Sequence, residues 1–238
     1  MTTKDFSLRP ANSPCSPTPV DEFEYASEIT NAFEGGKADS LQTLDSGIVS
    51  YGKHQATLAS GTLESVINSY IAESDSDTSV AIEKFLPRIQ LREESLRTDE
   101  TFLSLLTTAA QEEAMSNAQE GVFSENFWEP AKKLAEKIGI CSPLGKAIFY
   151  DTKIQGGLNT VLSRTIDALP ESQQTERGFL ALFLDKRRDY LESIADKKRK
   201  AGDEATAKLL ENSAAYRISA LETKLAESHD SPDSTSNN

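Results

Sequence analysis

Apolar side chains recur at intervals of three and four residues along most of this chain, and that spacing places them on one face of a helix. The pattern begins with Tyr25, Ile29 and Phe33, which predict a helix that stops at the glycine pair of residues 35–36. Further helices are predicted over residues 63–72, 80–89, 101–119, 124–138, 144–154, 158–169 and 175–194. Only residues 47–51, GIVSY, give a convincing strand signal. We therefore predict a mainly α fold with one short β segment.

Three residues predict where helices begin. Thr62 and Ser124 are predicted N-caps, because a hydroxyl oxygen there accepts from the free N–H groups of the first turn. Pro143 suits the first turn of the helix that follows it, since the missing N–H is not needed at that position.

The two ends of the chain are polar. Residues 1–20 are rich in Pro and Ser, and residues 229–238 read HDSPDSTSNN, so both are predicted to be disordered. Residues 196–228 are charged with sparse apolar positions, which predicts a long, largely solvated helix or a helical pair. The folded domain is then predicted to span residues 21–195.

Charge and composition exclude several classes of function. The formal net charge of -13 gives no basic footprint for nucleic acid. Two histidines and two cysteines cannot supply a zinc site, and no cofactor-binding motif is present. Cys15 lies in the Ser/Pro-rich stretch, so we do not expect a structural disulfide with Cys141.

The same sequence bears on where the protein works. No run of about 18 or more apolar residues predicts a membrane span. The first 20 residues lack the apolar stretch of a signal peptide. The expectation is a cytoplasmic protein, or one exported by a non-classical route as a secreted, lysis or effector protein.

Carboxylates are the chemistry that remains. Hydrolysis of a glycosidic bond requires two carboxyl groups, one of which stays protonated as the acid. Glu34 suits the acid, because the C-terminal end of a helix disfavours its charged form. Asp45 suits the second group. Ser50 follows Asp45 by five residues, and its hydroxyl can hold a water. Spacing alone leaves open that Glu34 is a surface carboxylate and Asp45 a turn residue.

Four segments, taken in order, resemble a known superfamily. They are residues 32–36 (AFEGG), 45–55 (DSGIVSYGKHQ), 142–157 (SPLGKAIFYDTKIQGG) and 183–191 (FLDKRRDYL), with Ala118-Gln119 and a helix before the third. The first two resemble the active-site stretch of the lysozyme superfamily. The third is similar to a helix of the chitosanases of glycoside hydrolase family 46. The resemblance covers roughly residues 22–195.

The resemblance implies an α+β lysozyme-like fold with two helical lobes, a small β-hairpin and a cleft between the lobes. It implies an inverting glycoside hydrolase in which Glu34 is the acid, Asp45 is the base and Ser50 helps to position the water. Two departures are visible: the family hydroxyl is usually Thr, and the spacing of eleven residues from Glu34 to Asp45 is closer to phage-type lysozymes. These departures leave the stereochemistry open.

The resemblance also implies supporting residues. In the family a buried Asp–Arg network lies behind the acid; Asp151 matches that Asp, and Arg187 or Arg188 is a candidate for one Arg. In the hairpin, substrate-binding or supporting roles are predicted for Tyr51, His54 and Gln55. Each of the latter two is equally well interpreted as an ordinary hairpin-exit residue, and Trp128 is better interpreted as core than as a sugar platform.

The predicted substrate is an amino-sugar polymer with β-1,4 bonds. The acidic chain favours cationic chitosan, whereas the lysozyme-like spacing favours peptidoglycan. The alternative is an inactive lysozyme-like protein that binds carbohydrate or serves in assembly, since a fold does not fix a function. No metal, cofactor, nucleic acid or membrane span is predicted, and no partner for the C-terminal helix is identified.

Overall fold

A computed structural model describes residues 6–9, 15–34, 36–44 and 47–228, with only the main chain of Glu34 included. The protein is 71% helical with a small antiparallel sheet, which confirms the predicted mainly α class. It divides into two compact units. The terminal unit comprises residues 1–26 and 131–238, and the inserted unit comprises residues 27–130. No helix within the described ranges is long and apolar enough to cross a membrane.

The inserted unit begins within the first helix and contains the sheet. Its elements are α1 (Glu22–Glu34, which starts in the terminal unit), β1 (Leu41–Gln42), β2 (Ser50–Tyr51), β3 (Ala56–Thr57), α2 (Thr62–Glu73), α3 (Asp77–Glu83), α4 (Leu86–Gln90), a 3₁₀ turn (Glu94–Thr98), α5 (Glu100–Ala109), α6 (Glu113–Phe123) and a π-helical turn (Ser124–Trp128). The predicted hairpin is thus a sheet of three two-residue strands, in the order β1-β2-β3.

Several predicted helices are shorter than their periodicity suggested. The helix predicted over residues 101–119 is broken before Glu113, where Glu112 accepts hydrogen bonds from Tyr70 (2.7 Å) and Ser76 (2.9 Å). The helix predicted over residues 80–89 is likewise divided between α3 and α4. Tertiary partners cause the first break, and the period of the sequence does not reveal it.

Two predicted N-caps are wrong. Gly61, with φ of 85°, occupies the N-cap of α2, and Thr62 is already helical. Ser124 has helical dihedral angles because the π-helical turn continues α6 instead of starting a new helix. By contrast, Ser142 caps the helix that Pro143 begins, and its hydroxyl accepts from the Gly145 N–H at 3.0 Å.

The terminal unit is helical. Its elements are α7 (Glu129–Lys137, beginning in the inserted unit), α8 (Pro143–Gln155), α9 (Leu158–Ala168), a 3₁₀ turn (Glu171–Gln173), α10 (Glu176–Lys200) and α11 (Glu204–Glu227). Every residue of α8 from 144 to 152 is buried, so this helix lies at the centre of the unit. Phe149 of α8 stacks on Phe183 of α10 at 4.8 Å between ring centroids.

The predicted domain limits need two corrections. The boundary at residue 195 falls inside α10. The charged C-terminal segment consists of the end of α10 and the whole of α11, which is the helical pair that was predicted as the alternative to a single long helix. Within residues 1–20, Phe6 is only 8% exposed and stacks on Phe179, and the Leu8 N–H donates to the Ile138 carbonyl at 2.8 Å. The disordered arm is therefore wrong for residues 6–9. The predicted tail, residues 229–238, lies outside the described residues.

The expectation of no disulfide is also wrong. Cys15 and Cys141 form a disulfide across a sequence separation of 126 residues. Cys141 immediately precedes the cap of α8, and its N–H donates to the Glu176 carboxylate at 3.0 Å. The disulfide thereby attaches the N-terminal segment to the start of the central helix of the terminal unit.

Candidate active site

Glu34 is the last residue of α1, as predicted, and belongs to the inserted unit. Ser27 and Thr30, about two turns and one turn earlier in the same helix, are buried. Asp45 and the side chain of Glu34 lie outside the described residues. The assignment of acid and base therefore stays a prediction.

We call residues 36–53 the hairpin segment, because they follow Glu34, include position 45 and form β1 and β2. Ser50 lies in β2, opposite Gln42 on one side and Thr57 on the other, and is 1% exposed. Arg97, from the 3₁₀ turn before α5, donates a hydrogen bond to the carbonyl of Thr43. The main chain just before position 45 is thus held by a guanidinium group from another element.

Tyr51 and His54 are core residues of the inserted unit. The Tyr51 hydroxyl donates to the Leu106 carbonyl at 2.7 Å, and burial raises the pKa of this phenol. His54 is 3% exposed and stacks on Phe123 at 4.6 Å. Burial, with a smaller effect from Lys53, lowers the pKa of His54 to about 4, so the imidazole is neutral at pH 7. The burial of both side chains favours the supporting role over direct contact with a substrate, and their role in the site stays a prediction.

Gln55 and Trp128 also have structural positions. Gln55 has φ of 51°, and its amide donates to the Gly52 carbonyl at 2.9 Å, which closes the turn between β2 and β3. The Gln55 side chain therefore binds within its own turn. Trp128 is buried, in agreement with its interpretation as core.

Asp151 and Arg187 form a buried ion pair in the terminal unit. Asp151 is fully buried, and its Oδ2 lies 2.6 Å from Nη2 of Arg187, which also donates to Gln155. Burial lowers the pKa of the Arg187 guanidinium, and the charge of Asp151 opposes that effect. Nε of Arg217, on α11, lies 3.5 Å from the other carboxylate oxygen.

Of the two Arg candidates, the structure brings only Arg187 to Asp151. Arg188 instead pairs with Glu222 at 2.8 Å on the surface, so its predicted role is wrong. Arg217 was missed, because it lies in a segment whose charges predicted a solvated helix. That this network supports Glu34 stays a prediction.

Gln119 is the other residue whose role the sequence did not reveal. It is 3% exposed on α6 and makes two hydrogen bonds to the main chain of the hairpin segment, one with Lys53 and one with Ala38. Its only signal in the sequence was membership of the Ala118-Gln119 pair in the family resemblance. A polar residue on the apolar face of a helix is visible in the sequence, but its hydrogen-bond partners are not.

Known proteins share this fold. The native chitosanase of Bacillus subtilis MY002 superposes with a TM-score of 0.74 at 25% identity, covering 90% of this chain and 92% of its own. The chitosanase of Gynuella sunshinyii in complex with chitotetraose gives a TM-score of 0.72 at 22% identity, covering 89% and 91%. The chitosanase of Bacillus subtilis strain 168 is 27% identical over 74% of this chain and 69% of its own length.

The fold and these relatives define the class of the protein as a mainly helical glycoside hydrolase. The sequence model of glycosyl hydrolase family 46 matches residues 46–224, which is most of the chain. The chain therefore belongs to glycosyl hydrolase family 46. The family match extends through α10 into α11, so the C-terminal helical pair is part of the enzyme and not an appendage.

Proposed function

We propose that the protein hydrolyses the β-1,4 bonds of chitosan. Membership of glycosyl hydrolase family 46 carries this proposal, and the three relatives described above are all chitosanases. The formal net charge of -13 attracts a polycation and repels the anionic polymer of bacterial walls. Chitosan is therefore favoured over peptidoglycan.

The proposed mechanism uses Glu34 as the general acid and Asp45 as the general base. Glu34 ends α1, where the helix dipole favours the protonated carboxyl group. It donates that proton to the leaving glycosidic oxygen while Asp45 removes a proton from the attacking water, whose oxygen bonds to the anomeric carbon from the opposite face. Ser50, five residues after Asp45, is proposed to orient that water. The product has an inverted anomeric configuration.

The buried pair of Asp151 and Arg187 is proposed as a positioning element for the acid. Removing one partner of a buried ion pair leaves an uncompensated charge, so Asp151→Asn is expected to disturb whatever the network supports. A shift in the pH dependence of kcat would support an effect on the acid. A loss of stability with an unchanged pH profile would assign the pair to the core alone.

We further propose that the protein matures in an oxidising compartment. Disulfides persist outside the reducing cytoplasm, and the Cys15–Cys141 disulfide belongs to the folded terminal unit. Alkylation followed by mass spectrometry of protein recovered from cells and from the medium tests this. Protected cysteines in the medium fraction are expected, and two alkylated thiols in all of the folded protein would contradict the proposal.

Digestion of chitosan and of purified peptidoglycan, side by side, tests the activity. Wild-type protein is expected to release glucosamine oligosaccharides from chitosan alone, and Glu34→Gln and Asp45→Asn are expected to lose about 10²–10⁴-fold of the rate. Glu28→Gln, an exposed residue on the same helix, is the matched control and is expected to retain full activity. Early products read by NMR report the anomer.

Each outcome decides between the functions considered. Muropeptides from peptidoglycan would replace chitosan as the substrate. Binding of chitosan with no products from the wild type would identify an inactive carbohydrate-binding protein. Equal activity of the wild type and Glu34→Gln would remove Glu34 from the mechanism.

A further inference from the structure

The hairpin segment is a loop with a closed neck. Gly36 at its start packs against the main chain at its end, since a Cβ atom on Gly36 would collide with the Lys53 carbonyl oxygen. The Gly52 N–H also donates to the Ser40 carbonyl at 2.8 Å. The first and last residues of the segment are therefore in direct contact, although seventeen peptide bonds separate residues 36 and 53.

One side chain from outside the segment binds both strands of that neck. The carboxamide of Gln119 accepts a hydrogen bond from the Lys53 N–H at 2.9 Å and donates one to the Ala38 carbonyl at 3.2 Å. A Cβ atom on Gly52, whose φ is 83°, would collide with this carboxamide. The Gln119 carboxamide thus uses its oxygen to bind one strand of the neck and its NH₂ group to bind the other.

The position of Gln119 in the fold makes this contact rigid. The residue lies within α6, which packs on α2, and its side chain is 3% exposed. A buried amide that lost either partner would leave a desolvated polar group unpaired, which is unfavourable, so both hydrogen bonds are kept together. The neck is therefore fixed relative to a helix and not only to itself.

We propose that Gln119 is a positioning residue that fixes the main chain carrying Glu34 and Asp45. This inference rests on the proposed function, because it assumes that these two carboxyl groups act as acid and base. Glu34 precedes the neck by two residues, and Asp45 lies within the loop that the neck closes. An inverting hydrolase needs the two carboxyl groups about 6.5–9.5 Å apart. A displacement of about 1 Å is enough to reduce the rate about 100-fold.

The test removes the hydrogen bonds and keeps the volume of the side chain. When assayed well below its melting temperature, Gln119→Met is expected to have a kcat on chitosan at least tenfold below that of the wild type and a KM changed less than twofold. The matched control is Glu120→Gln on the same helix, which loses an ion pair with the Lys53 ammonium (3.1 Å) and leaves the main-chain contacts intact. The control is expected to retain the wild-type kcat.

A second variant gives a readout that loss of packing does not produce. A carboxylate at position 119 can accept from Lys53 but cannot donate to Ala38, whereas a protonated carboxyl group does both. For Gln119→Glu we expect the ratio of its kcat to the wild-type kcat to rise as pH falls. This variant also carries the test if Gln119→Met does not fold.

The outcomes separate this inference from the proposed function. Unchanged kcat in Gln119→Met, a change confined to KM, or a pH-independent ratio for Gln119→Glu would overturn the positioning role while the wild type stays active. An inactive wild type, or full activity in Glu34→Gln, would instead overturn the proposed function on which the inference rests.

Discussion

Lowering the pH is expected to destabilise the protein through one buried imidazole. The pKa of His54 is about 4 in the folded protein and 6.5 when unfolded, so the unfolded chain binds more protons between these values. Its contribution to stability is therefore complete above pH 6.5 and is lost as pH falls towards 4. The difference between the two pKa values corresponds to about 3 kcal/mol in full, and to about 2 kcal/mol between pH 7 and pH 5.

Urea denaturation of the wild type and of His54→Gln at pH 7 and pH 5 measures this effect. Other groups titrate in both proteins, so only the difference between their pH responses reports on His54. The free energy of unfolding is expected to fall about 2 kcal/mol less in the variant than in the wild type. The substitution also removes the stacking on Phe123, but that loss is the same at both pH values and cancels.

NMR gives an independent check, because the chain contains only two histidines. Long-range ¹H–¹⁵N spectra recorded from pH 3.5 to 8 should show one imidazole that titrates near 4. His229→Gln assigns the two signals. A His54 signal that titrates near 6.5, or equal pH responses of the wild type and His54→Gln, would refute the reasoning.

Two further predictions concern the terminal unit. Cys15→Ser, or reduction of the wild type, is expected to lower the free energy of unfolding by about 4–5 kcal/mol, because the disulfide joins residues 126 positions apart. The stability of Cys15→Ser should not change when reductant is added. A wild type whose stability is unaffected by reduction would contradict this prediction. Lys146 binds Glu22 (2.8 Å) and Glu136 (2.9 Å), and these hydrogen bonds outweigh desolvation and raise its pKa. Stability from Lys146 is therefore present below pH 10.5 and lost as pH rises through the raised value. Thermal melts from pH 8 to 11 should show a steeper alkaline decline for the wild type than for Lys146→Met, and parallel curves would exclude this role.

Local signals made the helical part of the fold predictable. The start of α8 follows from Ser142 and Pro143, and the end of α1 follows from the glycine pair after it, because capping depends on residues adjacent in sequence. The break at Glu112 was not predictable, since it depends on hydroxyl groups some 36 to 42 positions away. β1 and β3 have two residues each, too few to show an alternating pattern.

Site residues follow the same rule. The family resemblance offered two adjacent arginines as candidates for one partner of Asp151, but only the face of α10 that packs against α8 selects Arg187. The positions of His54 and Gln55 were predicted from their place in the hairpin, which carries no information on burial. The role of Gln119 could not be predicted, because it binds main-chain groups of the hairpin segment that come together only when the loop has closed.

The insertion of one unit within the other has a consequence for synthesis on the ribosome. Residues 27–130 emerge together, whereas residues 6–26 must wait for residues 131–227 before the terminal unit is complete. Cys15 has no partner until Cys141 has been translated, and the contact of Asp151 with Arg217 can form only after that, once α11 has been made. Nascent chains therefore pass through a stage in which the unit bearing Glu34 is fully made and its host is not.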